Sequence, residues 1–147
     1  MSRVLAAFVA LAVLPLAACG SGKIDEWPGP PRAAAGGSLD VAAFNDYLAE
    51  YDEYARSPIV ATTEFLRLDE ATTPAISIEA HAAGESPSPV RVDVTLDRLQ
   101  DDSVRARRYA LVLNLAGEND WRLSSAVVSQ RCWPNRGHQT FSAEPCV

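Results

Sequence analysis

From Ser38 onward, apolar residues recur first at three- and four-residue steps and then at every second position. Val41, Phe44, Leu48, Tyr51 and Ala55 keep helical spacing, and Tyr47 and Tyr54 widen the stripe. Asn45, Asp46, Glu50, Asp52 and Glu53 occupy the remaining positions. Ser38 has the chemistry of an N-cap, Asp40 puts negative charge in the first turn, and Ser57-Pro58 stops the pattern. These signals predict one amphipathic helix with an acidic outer face. Its aromatic stripe is ordinarily core packing; the alternative is that Tyr47, Tyr51 and Tyr54 line a site for a small hydrophobic ligand.

Beyond Pro58 the period becomes two. Ile59 to Leu68 is rich in β-formers, and Asp69 to Pro74 has turn chemistry. Ile76, Ile78, Ala80 and Ala82 then alternate with Ser77, Glu79 and His81, and Gly84 to Pro89 forms a loop. Val90, Val92, Val94 and Leu96 alternate against Arg91, Asp93, Thr95 and Asp97. A turn at Asp101-Asp102 returns the chain through Tyr109, Leu111, Leu113 and Leu115, and Gly117 to Asp120 leads into Trp121, Leu123 and Val127. Pairing Gln100 with Ser103 sets Val94 opposite Tyr109, Val92 opposite Leu111 and Val90 opposite Leu113. Opposing Leu115 to Trp121 sets Leu113 beside Leu123. Both hairpins then place their apolar sets on one face, which a slip of one residue destroys. The expected fold class is α+β: the helix packed on an antiparallel sheet of about five strands. Arg91, Asp93, Asp97, Arg105 and Arg108 would lie on the outer face as a solvated surface of mixed charge. One helix followed by an antiparallel meander resembles the element order of cystatin-like folds over residues 38–130. It is also similar to the cone-shaped folds named after nuclear transport factor 2, whose members often carry two or three helices; one evident helix favours the cystatin-like version.

Ahead of the helix, residues 20–37 lose apolar periodicity and become rich in Gly, Pro and Ala. This composition reads as a linker, part coil and part polyproline II, spanning on the order of 25 Å. Trp27 is its one aromatic, expected to rest on a membrane interface or on the domain. Earlier still, Arg3 precedes an apolar run from Val4 to about Leu14, too short to cross a bilayer but of signal-peptide length. Leu16-Ala17-Ala18-Cys19-Gly20 resembles the lipobox of bacterial lipoproteins. That resemblance implies that residues 1–18 are removed and that Cys19 carries a thioether-linked diacylglycerol, stably anchored once two or more acyl chains are present. The alternative is an ordinary signal peptide cut nearby, with Cys19 incidental. The division expected is therefore leader 1–18, lipidated Cys19 and linker 19–37, and a single domain 38–147.

Composition narrows the function. The 147 residues carry 13 basic and 19 acidic side chains, a net charge of −6, which argues against nucleic-acid binding. Two histidines and three cysteines leave little for a multi-ligand metal centre, and no cofactor is expected. With Cys19 taken by lipid, Cys132 and Cys146 are the even pair of an exported protein and imply a disulfide. The run Cys132-Trp133-Pro134-Asn135-Arg136-Gly137-His138-Gln139-Thr140-Phe141, closed by Cys146, resembles the ending of small exported proteins and lipoproteins of actinobacteria. In that family a Cys-x-Pro-x-Arg-Gly-His-Gln-x-Phe stretch is followed by a final cysteine; the resemblance implies a lineage and no reaction. Arg136, His138 and Gln139 could present a cation, an imidazole and an amide to an anion or a partner protein. The bland alternative is that Gly137 turns the loop while Arg136 and His138 bond carbonyls inside it.

No Ser-His-Asp spacing, nucleophile elbow, phosphate loop or zinc signature occurs, and no catalytic residue is assigned. The adjacent Asp101 and Asp102 look like paired carboxylates, but neighbouring residues in a turn point apart. The expected function is a non-enzymatic binding or assembly module of unknown partner, lipid-anchored on the outer face of the cell membrane, with an envelope protein as one candidate partner. The alternative is a carrier of a small hydrophobic ligand held between helix and sheet; a small hydrolase or isomerase is the less favoured third reading.

Overall fold

The computed structural model describes residues 25–82, 84 and 88–147; Cys19 and the expected leader 1–18, and positions 85–87 of the Gly84–Pro89 loop, lie outside the described residues. The fold is α+β, and its frame is a five-stranded antiparallel sheet. Strands β2 (Ala75–Ala82), β3 (Val90–Asp97), β4 (Val104–Gly117) and β5 (Asp120–Cys132) form a meander. A two-residue strand β1 (Ser38–Leu39) adds to β5, so the order is β1-β5-β4-β3-β2.

The registers agree with the alternation. Val94 opposes Tyr109, Val92 opposes Leu111, and Val90 opposes Leu113. Across the next hairpin Leu115 opposes Trp121 and Leu113 opposes Leu123. The ladder between β3 and β4 ends at Asp97 and Ala106, short of Gln100 and Ser103. Beyond it the Leu99 N–H donates to the Arg105 carbonyl at 2.9 Å. The paired β4 and β5 carry register shifts, one of them between Val112 and Leu113.

The helical layer differs from the sequence expectation. Two helices occur where the pattern predicts one: α1 (Ala42–Glu50) and α2 (Pro58–Leu66). Ser38 is not an N-cap; it pairs with Val127 in the sheet, and Asp40 accepts the Ala42 N–H at 2.9 Å. The first helix stops at Tyr51, whose backbone leaves helical space (φ −120°, ψ 74°), and a 3-10 turn covers Asp52–Tyr54. That turn lets the Ala55 carbonyl accept the Trp121 N–H at 2.8 Å. Ile59–Leu68, expected as a strand, contributes most of α2 instead. Its start is Ser57, whose hydroxyl accepts the Ile59 N–H, followed by Pro58 in the first turn. Ala61, Thr62, Phe65 and Leu66 are the buried positions, a helical and not an alternating spacing.

Both helices lie over the apolar face of the sheet. Phe44, Leu48, Phe65, Val92, Val94, Leu111 and Leu113 are fully buried between the layers. Trp27 joins this core at 4% exposure. Its indole N–H donates to the Phe65 carbonyl (2.9 Å), and its ring meets Phe44 edge-on at 4.9 Å. The Arg67 guanidinium donates to the Trp27 carbonyl at 2.6 Å and pairs with Glu26 at 2.9 Å. The packed body thus begins at Trp27, inside the stretch whose composition reads as linker. Among the described residues, no helix is long and apolar enough to cross a membrane.

Candidate functional site

Cys132 ends β5 and is bonded to Cys146, with 5.6 Å between the two Cα atoms. This closes the tail into a loop that lies against the last strand. The loop is held at its base by Trp133, whose N–H donates to the Ser103 carbonyl (2.8 Å) and whose indole donates to the Asp101 carbonyl (2.9 Å). Gln130 and Ser142 exchange backbone bonds of 2.8 and 2.9 Å, and the Gln130 amide reaches the Glu144 carbonyl at 2.8 Å. Phe141 lies beneath the Arg108 guanidinium, 3.9 Å from it, with Arg131 at 5.2 Å. Gly137 is required where it stands. Its φ is +129°, and a Cβ there would sit 2.9 Å from the Cys132 sulfur.

His138 organises the loop from inside. Its Nδ1 lies 2.8 Å from the Thr140 carbonyl oxygen, and its Nε2 lies 2.9 Å from that of Glu144. Carbonyl oxygens only accept, so full satisfaction requires a hydrogen on both nitrogens, and the site favours the imidazolium. The Glu144 carbonyl, then that of Thr140, pushes the His138 pKa above its ordinary value. The Gln139 amide donates to the Trp133 and Gly137 carbonyls at 3.2 and 3.1 Å. Of the three tail residues singled out in the sequence, His138 and Gln139 are therefore engaged within the loop. Arg136 is exposed, and its guanidinium has no hydrogen-bond or ion-pair partner among the described residues. Cys132, His138 and Cys146 bring sulfur and nitrogen atoms within 4.8 Å of one another. The sulfurs are joined in the disulfide and carry no thiolate charge, and both imidazole nitrogens face carbonyls, so this trio does not offer a metal its donors.

The tyrosines are packed, not open. Tyr47 is buried, donates to the Glu64 carboxylate at 3.0 Å, and meets the rings of Tyr51 and Tyr54 at 4.7 and 5.8 Å. Burial, and then the bond to Glu64, raises its pKa above the ordinary phenol range. The break at Tyr51 takes the three rings off a single straight helix face.

The acidic positions are structural. Asp101 accepts the Val104 and Ser103 N–H groups at 2.8 and 2.9 Å, which lowers its pKa, and so closes the hairpin turn. Asp97 joins Arg105 and Arg131, each at 3.3 Å; burial opposes its ionisation, but the Arg98 N–H and these two cations hold its pKa below the usual carboxylate value. His81 and Glu79 approach to 3.7 Å on an open strand, with side chains 60% and 67% exposed.

Two features were not foreseen from sequence. Asn45, assigned to the polar helix face, clamps β5: its side chain donates to the Leu123 carbonyl (2.8 Å) and accepts the Leu123 N–H (3.0 Å). On the outer sheet face, Ser77, Glu79, Arg91, Asp93, Thr95 and Arg108 line a shallow polar depression of about 290 Å³. There Arg91 grips Asp93 with two bonds of 2.7 and 2.8 Å, which lowers the carboxylate's pKa. The fold and site together define a small α+β domain with a filled interior and a cross-linked tail. No protein-family model, curated protein or solved structure matches the chain.

Proposed function

We propose that this is a lipid-anchored cell-envelope protein whose domain acts as a non-enzymatic binding or assembly module through its surface. One observation carries the reading. The space between helices and sheet, where a carried ligand would sit, is occupied by Phe44, Leu48, Phe65, Val92, Val94, Leu111 and Leu113. What remains for recognition is exposed: the Arg136 guanidinium on the closed loop, the polar face of the sheet, and Ile76 and Ile78 on β2. The exported address is supported by the lipobox-like Leu16-Ala17-Ala18-Cys19 and by a disulfide, a bond that persists in oxidising compartments. The Cys-x-Pro-x-Arg-Gly-His-Gln-x-Phe tail supports placement among exported lipoproteins of actinobacteria.

Cys19→Ala is expected to move the protein out of the membrane fraction or leave it as an unprocessed precursor. Normal anchoring would sink the lipid assignment. Protein taken from its own envelope is expected to give an apo mass by native mass spectrometry. A stoichiometric hydrophobic ligand would overturn the module reading and favour a carrier, using the cleft of about 300 Å³ that Pro30, Leu39, Tyr109 and Val128 help to line.

A further inference from the structure

The two edges of the sheet are treated differently. On the β5 side, the Trp121 N–H meets the Ala55 carbonyl, Leu123 is bonded twice by Asn45, and Ala126 and Val127 pair with β1. Farther along, Gln130 pairs with Ser142 and the Cys132 N–H meets the His138 carbonyl. On the β2 side, among the described residues, nothing pairs with the outer edge of the strand. All eight residues of β2 are exposed, Ile76 at 43% and Ile78 at 39%. Some common guards of an open edge do not occur here: β2 holds no Lys or Pro, and its pairing with β3 runs from Ala75 to Ala82 without a shift. Its ionisable groups, Glu79 and His81, share the face opposite the isoleucines. The strand presents an unpaired backbone edge and a hydrophobic row that continues the core face, since Ile78 opposes Val94 and Ile76 opposes Leu96.

We infer that β2 pairs antiparallel with β2 of a second copy about a two-fold axis, joining two sheets edge to edge; this rests on the reading that the domain works through its surface. The strand is self-complementary in one register, with apolar residues facing apolar ones and no like charges opposed. Regular antiparallel pairing puts facing side chains on the same side of the sheet, so the axis must pass at a residue. Placed at Ile78, it sets Ile78 against the partner's Ile78, Ile76 against the partner's Ala80, and Glu79 against the partner's Ser77. Apolar residues then face apolar ones on one side and no like charges oppose. Placed at Glu79, it opposes two carboxylates directly, which is destabilising. Placed at Ser77, it shortens the paired segment. The Ile78 register is therefore the one the strand fits, and a common membrane surface would raise the effective concentration of the two copies.

Cysteine trapping in the native envelope tests this register. Facing Cα atoms in such a pair lie about 4.5–5.5 Å apart, within disulfide reach. Ile78→Cys is expected to give a band at twice the chain mass on a non-reducing gel under mild oxidation. Ile76→Cys, about 13 Å from its own copy in this register, is expected to stay single. Combining it with Ala80→Cys should restore the doubled band, and the wild-type chain controls for native cysteines. Equal trapping at Ile76 and Ile78 would overturn the register. A band of another mass from Ile78→Cys would overturn the dimer while keeping surface binding, and no adduct from any position would overturn β2 as the interface. Thermal unfolding of the Ile78→Cys chain, expected within a few degrees of wild type, separates lost pairing from lost folding.

Discussion

Trp27→Ala tests most directly where the domain begins. A composition-based boundary at Ser38 makes Trp27 a linker residue whose loss costs nothing. The structure buries it to 4% exposure, with Phe44 at 4.9 Å and Tyr47 and Phe65 each at 6.0 Å. An aromatic of this size removes about 200 Å² from water, which at about 25 cal/mol per Å² gives roughly 5 kcal/mol as an upper figure. Core Trp→Ala substitutions cost about 3–5 kcal/mol. The bond to the Phe65 carbonyl and the edge-on contact with Phe44 add to this, while the end of the chain can relax and subtract from it. About 4 kcal/mol is the expected loss, which lowers Tm by about 10–20 °C for a domain of this size. Circular dichroism melts at equal concentration measure it, with Trp27→Phe as a milder companion expected to lose less than half as much. A shift below about 2 °C for the alanine variant would refute Trp27 as a core residue and return residues 25–37 to the linker.

Two further outcomes concern the tail. Cys132→Ser, read by thermal melting, should cost about 3 kcal/mol, the chain-entropy value for a closed loop of about 15 residues, or about 10 °C in Tm; an unchanged Tm would mean the closure is idle. His138 stabilises as the imidazolium, and its folded pKa is raised above the unfolded one, so its contribution is complete below the unfolded pKa and fades as pH rises through the folded value. The Tm gap between wild type and His138→Gln should therefore be wider at pH 5.5 than at pH 8.5; a constant gap would show that the ring is held neutral.

The meander was legible because alternation and turn chemistry agree at each hairpin, and a slip would expose Val92, Leu111 or Leu113. The helical layer was not legible, for two local reasons. Ile59, Val60, Thr62 and Thr63 are β-branched and favour strands by propensity, yet the residues α2 buries on the sheet, Ala61, Thr62, Phe65 and Leu66, follow a helical period. Ser57-Pro58 served equally well as a stop for one helix or a start for another, and the structure makes it a start: α1 already ends at Tyr51, and the Ser57 hydroxyl accepts the Ile59 N–H of α2. In the tail, the residue types were visible, but their partners are backbone carbonyls, which carry no sequence signature. His138 and Gln139 thus follow the bland alternative of internal bonding, Gly137 turns the loop, and Arg136 alone of the three singled out keeps its side chain free among the described residues.

The contrast between the sheet edges separates a binding surface from an accident of folding. An unpaired strand edge invites uncontrolled association, and small domains ordinarily blunt it. Here the β5 edge is closed by Ala55, Asn45, β1, Ser142 and His138, drawn from widely separated parts of the chain. Among the described residues, such closure is found on the β5 side only. The unprotected strand also has the register-matched alternation that its exposure would not require: Ile76, Ile78 and Ala80 on the core face, Ser77, Glu79 and His81 on the other. A strand meant only to end the sheet would gain from a charge at Ile78, since an exposed apolar row at an edge carries a risk of aggregation. Retaining an isoleucine there is consistent with a surface that is covered in the working state, and the position of that residue at the centre of the strand is what makes a second copy the fitting cover.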